Sequence, residues 1–462
     1  MEQTTAKKNK YEIDMCNGTI MDKLISFSLP LMLSGILQLM FNAVDIIVVG
    51  RFSGSQALAA VGSTSALINV FTNLFIGISL GANVLTARFY AAGREKEVSE
   101  TVHTAITLAL VSGIVMALVG LVFSKGALAL MGTPDDVIGL SALYMRIYFL
   151  GMPFFMLYNY GAAILRAVGD TKRPLLFLMI AGVINACLNM VLVIVFKLGV
   201  AGVAIATVIS QMISCVLVLR CLCRSESSYR LRFSELGMKG YYLKQIFSVG
   251  VPAGIQSTVI NFSNVLLQSS VNSFGSTAMA GYTAANNLLG FLYVSVNSIT
   301  QACMSFTSQN YGVGKLKRMD RVLADCMILS VVVAVALGCI CYGFGPEILQ
   351  IYTEDAEVIA CGMEILAYTT ITYFLCGWMD LFPGALRGMG YSAVPMVLSV
   401  IGTVGTRVVW IFGIFPYHRS LAILFISYPA SWIITIVLQV ICFYFVRRRV
   451  HRRSQALAGQ EA

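Results

Sequence analysis

The sequence predicts an all-α polytopic membrane protein of twelve transmembrane helices, arranged as two parallel six-helix repeats. Three observations carry that prediction. Of the 462 residues, 58% are hydrophobic and only 12% charged, with a mean hydropathy of +0.80. That is too little charge to coat a soluble protein of this length. Twelve apolar segments each approach or exceed the roughly 20 residues a helix needs to cross about 30 Å of hydrocarbon. The second half of the chain also restates the first at a nearly constant offset.

The predicted spans run near 24–50, 57–85, 98–123, 137–163, 174–196 and 199–222, then 243–272, 278–308, 322–345, 357–382, 394–415 and 421–446. Their apolar runs are continuous and do not alternate with polar residues, which selects helices over barrel strands. The first run is too long for a signal-peptide core and lacks a small-residue cleavage site, so it is expected to remain as span one. The expected organisation is an N-terminal arm 1–23, an N-lobe 24–222, a linker 223–242, a C-lobe 243–446 and a basic tail 447–462. The linker is centred on the polar stretch "RSESSYRLRFSELGMKG".

The net charge of +10 reads as topology rather than as a nucleic-acid partner. Twenty-six of the 32 basic residues fall in the arm, the tail and the loops of one side. Only Arg51, Lys125, Lys197 and Arg419 fall on the other, while Arg146 and Arg407 lie within spans. The positive-inside rule then places both termini in the cytoplasm. The twelve Cys form no CxxC pair, and His103, His418 and His451 are far apart, so neither a metal site nor a disulfide framework is expected.

At an offset of 221, "AAILRAVGDTKRP" meets "PGALRGMGYSAVP", matching Arg166 with Arg387, Gly169 with Gly390 and Pro174 with Pro395. "YAAGREK" meets "YGVGKLK", and at an offset of 222 Pro30 falls on Pro252. Register held this far is a duplication. Six spans is an even number, so both halves enter the membrane from one side and are parallel repeats. That architecture suits a substrate path between two rocking lobes, although duplication for structure alone gives the same pattern.

Polar residues within spans are the candidates for function. Asp45 lies nine residues before Gly54, roughly 13 Å along a helix from the outer loop. An acid at that depth is costly unless it meets a cavity or a partner, and desolvation disfavours the charged form of a carboxyl group. Such a residue can exchange a proton or a cation; the structural alternative is an acid near the interface or in a fixed pair. Asn185 and Asn189 share one face of span five, where they could serve the site or simply tie helices together. Asp380 and Arg407 are the natural mutual partners of the C-lobe, as a structural charge pair or in transport. Gln38, Phe41, Asn42 and Asn159 in the N-lobe are candidate cavity residues. Gln256, Asn261 and Asn264 are their counterparts in span seven, which carries no acid. Pro30 and Pro252 interrupt helical hydrogen bonding and are candidate hinges. The 22 Met, 26 Phe and 20 Tyr suit adaptable contact with flat organic cations. No paired-acid metal motif, catalytic dyad or soluble domain supports an enzyme, and no P-loop supports direct ATP drive.

"LPLMLSGILQLMFNAVDIIVVGRFSGSQALAAVG", "ILRAVGDTKRP" and "ALRGMGYS" resemble the multidrug and toxic compound extrusion (MATE) transporters, nearest their DinF-type bacterial branch. The resemblance runs from about Lys23 to Arg447. The acidic-basic signature of the major facilitator superfamily is missing from "TARFYAAGREKE". The resemblance implies a monomeric secondary antiporter in the cytoplasmic membrane of a bacterium. It would export organic cations or drugs in exchange for H+ or Na+, by alternating access and with no other cofactor. Asp45, fifteen residues after Pro30, stands where the family carries its principal N-lobe acid, and Thr207 matches a polar N-lobe position. Some relatives have a second acid where Asn189 stands, so Asp45 is expected to act alone here. The span-seven Glu of the NorM branch, which accompanies a C-lobe sodium site, is missing. Bending at the first-helix proline is associated with protonation of the N-lobe acid in some members. A lipid or lipid-linked oligosaccharide flippase of the same superfamily is the alternative. It calls for a more cationic cavity than Arg146 and Arg407 supply.

Overall fold

A computed structural model describes residues 11–458, and all regular elements among them are helical. The first half holds α1 (Met21–Phe52), α2 (Ser55–Ala91), α3 (Glu95–Leu130), α4 (Asp135–Leu150), α5 (Met152–Ala167), α6 (Lys172–Asn189) and α7 (Gly199–Cys223). The second holds α8 (Gly240–Asn272), α9 (Ser276–Gly312), α10 (Leu316–Gly343), the short α11 (Gly345–Gln350), α12 (Ala356–Thr369) and α13 (Tyr373–Gly388). It ends with α14 (Ala393–Ser399), α15 (Thr406–Val409) and α16 (Leu421–Ala458). With α4/α5, α12/α13 and α14/α15 each taken as one crossing, each half has the six expected spans. By length and apolarity alone eight helices qualify, or ten with the two bent pairs. The helices α8 and α9 are long enough at 33 and 37 residues, but many Ser, Thr, Asn and Gln side chains dilute their hydropathy.

Two spans read as continuous in the sequence are broken. The pair α4/α5 bends by 47° and α12/α13 by 51°. The breaks fall at Gly151 and Thr372, equivalent positions of the repeat, but their chemistry differs. In the first, Pro153 stands in the opening turn of α5 and supplies no N–H. In the second, the hydroxyls of Thr369, Thr370 and Thr372 donate to the carbonyls of Ile365, Leu366 and Tyr368 at 2.7, 2.6 and 2.8 Å. Such back-bonding competes with the helical ladder and bends it. The helix α6 passes into a π-helical turn, Met190–Val195, and two more follow α14 and α15 at Val400–Gly405 and Trp410–Ile414.

The chain packs as two units, and they do not divide at the linker. One comprises residues 11–14 and Leu33–Gly254 of the described chain; the other comprises Met15–Met32 and 255–458. Both α1 and α8 therefore change unit two residues after their proline, Pro30 or Pro252. Each proline leaves the carbonyl four residues earlier (Ser26 or Ser248) without a ladder donor. The expected lobe boundaries at 24 and 243 are thus displaced into the helices themselves.

Glycines explain why the start of α8 belongs to the first unit. Gly77 and Gly81 of α2 form one GxxxG pair, and Gly250 and Gly254 of α8 form another. A Cβ on Gly77 would strike the backbone of Gly254, one on Gly81 the carbonyl of Ile246, and one on Gly250 the backbone of Ile78. A Cβ on Gly254 would lie 2.5 Å from the Leu74 carbonyl oxygen. Where lipid supplies no hydrophobic drive between helices, small residues allow this close backbone approach. In the second unit the start of α1 packs through fully buried Leu24 and Phe27, with the Phe27 ring edge-on to Phe306 at 5.6 Å.

The polar linker is docked rather than free. Tyr229 and Leu231 are buried, and the Arg232 N–H donates to His103 Nε2 of α3 at 3.1 Å. The arm is anchored as well. Glu12 accepts from the hydroxyls of Tyr90 and Tyr229 at 2.8 and 2.7 Å, within the first unit. In the second unit the Met15 carbonyl accepts from Asn310 Nδ2 and Arg318 Nε at 3.1 and 3.2 Å. The repeated "RAVGDTKRP" turn now has a physical reason. Gly169 has φ +95°, and a side chain there would meet the backbone of Ile13 at 2.6 Å. The arm residues before Tyr11, with three of its Lys, lie outside the described residues, as does the tail beyond Ala458. Within the tail, α16 continues past residue 446 to Ala458, because Arg, Gln, Leu and Ala sustain a helix.

Candidate functional site

The site in the first unit is built where α1 meets α6. Gly182, Asn185 and Asn189 lie along one face of α6, three and then four residues apart. On α1, Phe41 and Asp45 are one turn apart. The Phe41 ring fills the notch over Gly182 so closely that a Cβ there would overlap it. One turn further on, Asn189 Nδ2 donates to the Asp45 carboxylate and also reaches Asn185 Oδ1 at 3.2 Å. Asp45 is 8% exposed and Asn189 wholly buried. The polar cluster therefore depends on a packing contact, the Phe41–Gly182 notch. Gly182→Ala should shift α1 away from α6 at a cost of about 1–3 kcal/mol and lower transport. Adding Phe41→Leu should restore thermal stability, and its failure to do so would dissociate the notch from the site.

Thr207 of α7 completes the immediate surroundings. It stands beside Asp45, and its hydroxyl donates to the Val203 carbonyl at 3.0 Å. Tyr144 and Tyr148 on α4, whose rings stack at 6.1 Å, lie in the neighbourhood of Asp45. Tyr148 in turn faces the amide of Gln211 on α7. These three residues were missed in the sequence. The signal was present: Tyr144 and Tyr148, like Thr207 and Gln211, repeat the one-turn spacing of the Asn pair. No Lys, Arg or His lies within ion-pair distance of Asp45 among the described residues. The Oδ1 of Asn189 and the Oε1 of Gln211 are buried with no donor.

The second unit is chemically different. Asp380 and Arg407 do not form the expected pair. Arg407 is 3% exposed, donates through Nη1 to Ser263 Oγ and Asn264 Oδ1 at 3.3 and 2.7 Å, and lies 4.6 Å from the Tyr428 ring centroid. The cation acting on Asp380 is Arg387, seven residues on along α13, which also donates to Gln256 Oε1 at 2.6 Å. Two turns of one helix bring Asp380 and Arg387 to the same face. Nor is the acid of α1 duplicated. Leu267, 1% exposed, stands where the repeat places Asp45.

The remaining candidates separate by environment. Gln256 and Asn264 are engaged by arginines. Asn159 is half-buried, donating to the Phe155 carbonyl one turn back at 2.8 Å, and it occupies the position equivalent to Asp380. Phe41 is a packing residue, whereas Gln38, Asn42 and Asn261 are exposed within their units. Both Pro30 and Pro252 lie inside continuous helices.

The architecture and site define a duplicated, all-helical, multi-pass membrane protein with, among the described residues, one buried acid in its first half that has no basic partner. A sequence model of the MatE family matches residues 30–191 and again 252–412, one copy per repeat and each beginning at the proline. "Probable multidrug resistance protein YoeA" of Bacillus subtilis is 32% identical over 434 residues, covering 92% of this chain and 93% of the relative. "Multidrug export protein MepA" of Staphylococcus aureus (strain NCTC 8325 / PS 47) is 22% identical, covering 82% and 84%. Among solved structures, an outward-facing multidrug resistance MATE family transporter of the MOP superfamily aligns with a TM-score of 0.87 at 19% identity, covering 97% of this chain and all of that one. A MATE structure in a bent conformation aligns at 0.85 and 19% identity, covering 96% and 98%. The chain belongs to the MatE family and is a MATE transporter.

Proposed function

We propose that this protein is a secondary antiporter, acting as a monomer in the cytoplasmic membrane of a bacterium, that exports organic cations or drugs in exchange for H+ or Na+. One observation carries the reading: Asp45 is buried and held only by neutral donors. An ionised carboxylate so placed is costly, and a proton or a bound cation relieves that cost. A proton would sit on Asp45 itself. A sodium ion would also draw on the free Oδ1 of Asn189 and the Thr207 hydroxyl, oxygen ligands suited to a hard cation. The names of the relatives, multidrug resistance and multidrug export, support drugs as the substrate class.

In this reading, occupancy of Asp45 changes how α1 grips α6, and the two units move about Pro30 and Pro252, where the helices lack a backbone bond. Both termini face the cytoplasm, in keeping with the basic loops of that side. The test uses purified protein in liposomes, with a pH gradient imposed in the absence of sodium, and then the reverse. One gradient should sustain export of a cationic dye and its collapse should stop it. Export that continues with both gradients collapsed would show that no ion is coupled.

A further inference from the structure

The helix α16 presents two faces, and its outer face changes chemistry along its length. One face is buried: Trp432, Thr435, Gln439, Cys442 and Val450 point inward, and Val450 joins a cluster with Met319, Leu386 and Met389. On the opposite face Ile434, Val437, Ile441, Tyr444 and Phe445 are 45–63% exposed, at three- and four-residue steps. That face continues to Arg448 and Arg452, and Arg449 and Arg453 stand beside them, all four exposed. The stripe thus passes from aliphatic residues that suit acyl chains, through an aromatic pair of the kind found at the membrane interface, to four guanidinium groups. Arg447 lies off this stripe and is engaged by Asp320 at 2.6 Å. The Val450 cluster and that ion pair pack the helix against the rest of the second unit just before and among these arginines.

We propose that Arg448, Arg449, Arg452 and Arg453 form a binding surface for the phosphate headgroups of anionic phospholipid, with the acyl chains lying along Ile441, Tyr444 and Phe445. Basic clusters at the end of a membrane helix attract anionic lipid through their summed positive charge, which Lys supplies as well as Arg. The inference rests on the proposed function only for the leaflet concerned, the cytoplasmic one. Lipid binding itself can be read without transport.

The experiment compares wild-type protein with a quadruple variant, Arg448→Gln, Arg449→Gln, Arg452→Gln and Arg453→Gln, and with the corresponding four Arg→Lys changes. Each is purified in mild detergent, and retained phosphatidylglycerol is counted by mass spectrometry. Thermal stability is then measured in nanodiscs of phosphatidylcholine with and without phosphatidylglycerol. Wild type should retain roughly threefold or more phosphatidylglycerol than the Gln variant, and only wild type and the Lys variant should be stabilised by it. Equal retention by the Gln variant would overturn the proposal, as would loss of retention in the Lys variant. Stabilisation by soluble glycerol phosphate to the same extent as by the lipid would assign the site to a free anion and also overturn it. Both readouts stand whether or not the protein proves to be an ion-coupled exporter.

Discussion

Asp45→Asn is expected to reduce drug efflux to the level of cells lacking the protein, with membrane abundance unchanged. The two side chains are nearly the same size, and the amide oxygen can still accept from Asn189 Nδ2. The cost in stability is therefore roughly that of one weakened hydrogen bond, about 1 kcal/mol. The substitution removes the one property the site depends on, a charge that comes and goes with its occupant. Substrate should then equilibrate at best and never accumulate against a gradient. Efflux and abundance measured together, by dye extrusion and quantitative blotting, check this. Wild-type efflux in the variant would remove Asp45 from the mechanism.

Gly77→Ala should be strongly destabilising although it adds a single methyl group. The new Cβ would meet the Gly254 backbone, and no side-chain rotation can clear a backbone atom. The start of α8 must separate from α2, and a loss of about 3 kcal/mol or more is expected from overpacking. That separation also weakens the hold of the first unit on residues 240–254. Gly62→Ala is the internal control on α2, since nothing lies within 4 Å of its Cβ position. Melting of the two purified variants in detergent should differ by many degrees. Equal melting would mean that the interlocked GxxxG pairs do not hold the crossing.

The twelve crossings, the duplication and the acid were legible because each is a one-dimensional signal: a long apolar run, a constant offset, and a lone charge within greasy surroundings. The Asn185–Asn189 pair was legible because helical spacing alone puts the two on one face. Arg407 shows the limit of that reasoning. Its opposite charge made Asp380 a plausible partner, but Arg407 bonds to Ser263 and Asn264, and the arginine whose charge acts on Asp380 is Arg387, two turns along the same helix. The exchange of α1 and α8 between units was not legible from hydropathy, since it turns on backbone approach at glycines. The GxxxG spacing in both α2 and α8 was its visible trace. The bend at Thr372 was equally hidden, because three hydroxyls that look like ordinary helix residues act together on the ladder, whereas the one at Gly151 was announced by Pro153.

The most direct test of the central claim is equilibrium competition for the buried carboxylate. Binding of a cationic dye to purified protein is measured across pH 5–9 and with sodium replaced by choline, for wild type and Asp45→Asn. The account predicts that protons or sodium weaken dye binding to wild type and leave binding to the variant unaffected. Dye affinity that ignores both ions in wild type, or that keeps its ion dependence after Asp45→Asn, would contradict it.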